Sequence, residues 1–188
     1  MNIIPSEKIE KTNNEKTNNE KTNNEKIISS EIEELLLLQL KHEMQNHNLY
    51  KMFSLYYNEQ GYFKLSSYYS KRAQEELNHY NWIQSYLHDC DICLKEDLQI
   101  PINDNKIKDL KSPFIDTVER EVETTKMIYK IVDAAVKESD WKTFNFLHKD
   151  LIPEQIEEEK LSRTALKIIS CDTDWSSKQD SILELYGK

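Results

Sequence analysis

The chain has little of what sharp turns require. It holds only 2 glycines and 4 prolines in 188 residues, and a many-stranded fold with frequent tight turns is hard to build without them. Cysteine is equally scarce, at 3. Cys90 and Cys93 make one Cys-x-x-Cys pair and only Cys171 is left over, whereas a zinc site or a rubredoxin-type iron site needs a second pair. An odd count of this kind reads as a reducing compartment, so a cytoplasmic protein is expected. No apolar run approaches the roughly 18–20 residues of a membrane span, and mean hydropathy is -0.77. The opening MNIIPSEKIE lacks the apolar stretch of a secretory signal, and with no arginine before Arg72 it does not read as a mitochondrial presequence. Positive charge is also in deficit: 25 Lys+Arg stand against 34 Asp+Glu, a net charge of -9. Nothing there would displace counterions from phosphates, so no nucleic-acid partner is expected. The same surplus of acid favours attracting cations.

Along the chain, residues 10–26 repeat Glu-Lys-Thr-Asn-Asn and contain no apolar side chain. A period of five fits neither the helical nor the strand repeat, so it cannot set one face against a core. Residues 1–28 therefore read as a disordered low-complexity tail and 29–188 as the folded domain. Four long helical patterns follow, over about 30–58, 63–90, 113–138 and 141–170, each roughly 40 Å long at the usual rise. Ser30 with Glu33 reads as a capping box, Ser112 as the cap of the third helix with Pro113 at its first position, and Asp140 as the cap of the fourth helix. The first two helices are joined by a short link, as are the last two, so both pairs must be antiparallel. Residues 91–112 are long enough to travel the length of the bundle. The expectation is an all-α, up-down-down-up four-helix bundle with one long crossover and a short fifth helix near the C-terminus.

Carboxylates interrupt the apolar stripes of these helices. The first helix reads Leu36, Leu40, Glu43, His47, Tyr50; the second Ala73, Glu76, Tyr80, Ile83, Leu87; the third Phe114, Val118, Glu121, Thr125, Ile128, Val132, Ala135; the fourth Glu158, Leu161, Ala165, Ile168. Each helix places one glutamate inward, and no Lys or Arg occupies these stripe positions. Unpaired ionised carboxylates in a core cost more than a domain's net stability, so protons, cationic side chains or metal must neutralise them. With no cationic side chain on the stripes, metal is expected. His79, three residues after Glu76, projects from the same patch, and Glu-x-x-His is a ligand pair of di-iron carboxylate bundles. Two Fe²⁺ would balance the four glutamates, and oxygen ligands with one nitrogen suit iron better than copper.

Arg72–Leu87 and Thr143–Leu161 resemble the second and fourth helices of bacterial non-haem ferritins, and the likeness extends over about residues 30–170. The resemblance implies a ferritin-like fold and a ferroxidase centre of two irons per subunit, without haem. It places Glu43, Glu76 and His79 on one iron, with Glu76 bridging to a second held by Glu121 and Glu158. Gln155 would orient the oxygen-facing side, Tyr50 would be an electron donor close to the metals, and Glu75, Glu154 and Glu157 would form a third iron site. It further implies Fe²⁺ and dioxygen as substrates and a 24-subunit homo-oligomeric shell that stores ferric mineral. Bacterioferritins and rubrerythrins carry a second Glu-x-x-His on the fourth helix, where this chain has Glu158 followed by Glu159, Lys160 and Leu161. Two other classes fit the same stripes: a bundle that binds metal without catalysis, and a di-iron peroxidase or oxygenase.

Three features depart from the family pattern. The stretch between Phe146 and Glu154 is one residue longer and contains Pro153, which predicts a π-bulge or kink in the fourth helix. His47 lies one turn after Glu43 without being a family ligand; a hydrogen-bonded core histidine is the first expectation and metal contact the second. The tail is an addition. His42, His88 and His148 are expected to have no functional role.

Overall fold

The computed structural model describes residues 26–94 and 107–185, and those residues contain no strand. The elements are α1 (Ser30–Glu59), α2 (Phe63–Asp89), α3 (Ser112–Glu138), α4 (Trp141–Phe146), a π-helical turn (Leu147–Leu151), α5 (Ile152–Ser170) and α6 (Trp175–Glu184). Helix α1 begins on Ser29 rather than Ser30: Ser29 is still extended, and its Oγ accepts the Ile32 amide at 3.2 Å. Ser112 is not a cap either. Its Oγ accepts the amides of Lys108 and Asp109 in the preceding loop, while Asp109 Oδ1 accepts those of Lys111 and Ser112. Asp140 does cap α4, through the Thr143 amide at 3.0 Å.

Contacts between helices fix the topology. Gly61, at φ 79°, turns the chain between α1 and α2, a conformation that glycine adopts without steric cost. His42 meets Thr124, Tyr50 meets Glu121 and Tyr57 lies against Phe114, so α1 and α3 are antiparallel. Tyr69 meets Thr117 and Arg72 meets Glu121, so α2 and α3 run parallel. Two parallel neighbours require a connection along the whole bundle, which is the expected up-down-down-up order. Residues 95–106 of that connection lie outside the described residues, as do residues 1–25 of the repeat tail. Ile28, at the end of the segment assigned to the tail, is buried in the core.

The core is split into two apolar blocks. At one end Ile32, Leu36 and Leu40 pack with Ile83, Leu87, Ile128 and Leu147. At the other, Phe53, Tyr57, Tyr68 and Tyr69 pack with Phe114, Ala165 and Ile169. Glu43, Glu76, Glu121 and Glu158 are buried with them, at chain positions between those of the two blocks. The buried faces differ slightly from the sequence stripes: Thr117, Thr124 and Ile131 are buried where Val118, Thr125 and Val132 are half-buried, and Ser162 and Ile169 are buried in place of Leu161 and Ile168.

The extra residue before Glu154 is absorbed where expected. Residues 147–151 form one turn of π-helix, and Pro153 follows it in the first turn of α5. One residue added to an α-helix would rotate everything after it by about 100°; the wide turn takes up that rotation, so Gln155 and Glu158 still face inward.

Candidate metal centre

The four stripe glutamates converge. Glu43, Glu76 and Glu121 are almost wholly enclosed, and Glu158 and His79 are only slightly less so. Ligand atoms of Glu43, Glu76 and His79 lie within 4.8 Å of one another, and so do those of Glu76, Glu121 and Glu158. Glu76 belongs to both groups. His79 Nδ1 is 3.9 Å from Glu76 Oε2 and 3.9 Å from Glu158 Oε2. Glu76 of α2 thus joins a ligand group shared with α1 to one shared with α3 and α5.

The donor set fits metal. Glu43 Oε2, both oxygens of Glu76 and Glu158 Oε2 are buried without a hydrogen-bond donor. Leaving buried acceptors unmatched is expensive, and each enclosed carboxylate costs several kcal/mol if ionised. Burial accordingly raises Glu43 to about 7. Burial first and neighbouring carboxylates second push Glu76 up; burial also pushes Glu158 up, against the opposing pull of Arg72. Burial also lowers His79 to about 4, which keeps the imidazole neutral and its lone pair available.

Glu121 is different, because three side chains already donate to it. Tyr50 Oη donates to Oε1 at 2.5 Å, Gln155 Nε2 donates to Oε2 at 3.0 Å, and the Arg72 guanidinium pairs with Oε1. Arg72 corrects the sequence reading. It is fully enclosed, and it also lies 3.6 Å from Glu158 Oε1 and 3.7 Å from Glu75 Oε2. The centre therefore contains a cationic side chain that the stripe analysis missed. The reason is geometric: Arg72 is four residues before Glu76 and shares its helical face, while the apolar stripe itself runs through its neighbour Ala73.

His47 is half-buried and donates from Nδ1 to the Ala73 carbonyl at 2.7 Å. His42, assigned nothing, is buried in a separate network: it contacts Thr124 Oγ1 at 2.8 Å and Arg120 at 3.2 Å, and Arg120 also binds Asn46. Its only sequence signal was a place flanking Glu43. Glu75, Glu154 and Glu157 line one cavity of about 610 Å³ together with Arg72 and Glu158. They do not form a three-ligand group among the described residues; Glu154 and Glu157 are exposed and Glu75 is half-buried.

Fold and site together define a four-helix bundle with two buried carboxylate-rich groups joined through Glu76. Residues 33–171 match the family model described as a ferritin-like domain. The chain belongs to the ferritin-like family, and the resemblance to bacterial non-haem ferritins holds over most of its length. It is 31% identical over 138 residues to a bacterial non-heme ferritin of Campylobacter jejuni, covering 73% of this chain and 81% of that one. It is 26% identical over 144 residues to one of Staphylococcus haemolyticus, covering 77% and 86%. Among solved structures it is similar to an open-pore ferritin from the hyperthermophilic archaeon Archaeoglobus fulgidus, with a TM-score of 0.77, 25% identity, and coverage of 86% of this chain and 98% of the other. No helix of the described residues is long and apolar enough to cross a membrane.

Proposed function

We propose that this protein is an iron-storage ferritin whose buried centre is a ferroxidase. The observation that carries the reading is Glu76: one carboxylate shared by two ligand groups, with both oxygens buried and unmatched. Two Fe²⁺ ions are the reducing substrates. Each gives up one electron, and dioxygen takes both electrons with two protons to become hydrogen peroxide, leaving two Fe³⁺. The protein's work is to hold both ions near one oxidant. Glu43 and His79 fix the first ion, Glu121 and Glu158 face the second, and Glu76 spans them. Gln155 and Tyr50 orient Glu121 from opposite oxygens, and Tyr50 is also positioned to supply an electron.

The cavity lined by Glu75, Glu154 and Glu157 opens beside Glu158. It gives ferric product an acidic path out of the centre and is the proposed third iron position. On this reading the product collects as mineral inside a 24-subunit shell of identical chains in the cytoplasm. Aerobic addition of excess Fe²⁺ to purified protein, followed by sedimentation, tests storage. Many irons should travel with a large particle; iron sedimenting apart from the protein, or a particle the size of a monomer, would contradict it.

A further inference from the structure

Arg72 lies where a second cation would bind. Its guanidinium contacts Glu121 and lies 3.6 Å from Glu158, the two carboxylates that join Glu76 in the second ligand group. It is not a surface side chain folded inward by chance. It is fully enclosed, sits 5.5 Å from the centre of the Tyr50 ring and contacts Ser162 Oγ at 3.4 Å. It is thus held by residues of α1, α3 and α5 at once. The first group, Glu43, Glu76 and His79, contains no such partner; Glu43 Oε1 accepts from the neutral amide of Gln39, at 2.5 Å. Charge points the same way. Four carboxylates balance two divalent ions only when no other cation is present, and an arginine cannot shed its proton.

We propose that Arg72 is a built-in competitor for the second metal position, so that the two halves of the centre load unequally. The first divalent ion enters between Glu43, Glu76 and His79 with Arg72 in place. The second binds Glu121 and Glu158 only after the guanidinium leaves them, which requires breaking a buried ion pair. Glu75, 3.7 Å from Arg72 on the cavity side, is the acceptor toward which the guanidinium can move. Arg72 is a positioning residue here, acting through Glu121 and Glu158. The inference deepens the ferroxidase reading and rests on it.

The test is anaerobic and uses redox-inert ions on the whole purified protein. Zinc titration by calorimetry should give one tight equivalent per chain and a second about a hundredfold weaker, the order set by loss of a buried ion pair. In Arg72→Gln the two affinities should fall within about tenfold of each other. With Mn²⁺ at one to two equivalents, the wild type should show the resonance of isolated ions and Arg72→Gln the spectrum of a spin-coupled pair, a signature that a merely structural role would not create. Crystals of the wild type soaked at low and high Zn²⁺ keep the proposal testable if the variant does not fold. At low zinc the ion should sit at His79 with Arg72 on Glu121, and at high zinc a second ion should appear with Arg72 displaced. Two equal tight equivalents in the wild type, or two zinc ions bound with Arg72 unmoved, would overturn the proposal while leaving a dinuclear centre intact. No zinc binding at all would overturn the metal-centre reading as well.

Discussion

Tyr50 donates its hydroxyl to Glu121 at 2.5 Å across the α1–α3 interface, and neither residue is exposed. Burial raises the phenol well above its ordinary value, so it stays protonated and its hydrogen remains on the carboxylate. Tyr50→Phe should cost about 1–2 kcal/mol of stability, the usual consequence of removing one partner of a buried hydrogen bond. Thermal unfolding of the metal-free protein measures it. Glu121 keeps Arg72 and Gln155, so metal binding should persist in this variant, and an unchanged melting temperature would contradict the role given to the bond.

The metal-free protein should lose stability as pH rises from about 6.5 to 8. Glu43 is raised to about 7, and Glu76 and Glu158 are raised as well, so the folded state holds protons that the unfolded chain has released. Their stabilisation is complete below the ordinary carboxylate range and disappears as pH passes the folded values. His79 and His42, lowered to about 4 and about 3, act in the opposite sense but only below their ordinary value of 6.5. Zinc should abolish the decline, since it replaces the protons, and zinc affinity should increase over the same window. Unfolding curves at several pH values with and without zinc check both signs.

Glu76→Gln should separate stability from function. It removes the most central charge while keeping the side chain's shape, so at pH 8 the metal-free variant should melt a few degrees higher, corresponding to about 1–2 kcal/mol. Added zinc should then raise its melting temperature much less than the wild type's. A variant that melts lower without metal would mean that Glu76 is stabilised by the protein itself.

Deleting Lys149 tests the π-turn. The residue is exposed, and removing it should convert the wide turn to ordinary α-helix without changing the facing of Gln155 and Glu158. The protein should stay folded and retain zinc binding. Deleting Asn78 within α2, which is α-helical throughout and has no wide turn to absorb the change, should instead swing His79 off the centre by about 100° and abolish zinc binding.

Much of this centre was legible in the sequence because its spacing is dictated by the helix. One glutamate within each apolar stripe, and His79 three residues beyond Glu76, leave few arrangements other than convergence. The wide turn at 147–151 was legible as a surplus residue with a proline behind it. Arg72 was not, because a charged side chain beside a stripe is ordinarily solvated. Only its four-residue spacing from Glu76 gave it away, and that spacing is also common on helix surfaces. The His42–Arg120–Asn46–Thr124 network was hidden for a related reason: its members satisfy one another across two helices, and no single helix reveals the pairing. The ends of helices were set by loop hydrogen bonds, as at Ser29 and Asp109, which spacing alone does not determine.

The most direct test of the central claim is oxygen consumption and ferric absorbance after aerobic Fe²⁺ addition, comparing the wild type with Glu76→Ala. The account predicts rapid oxidation of the first irons per chain in the wild type and the rate of buffer alone in the variant. Equal rates in the two proteins would show that the shared carboxylate is not where iron is oxidised.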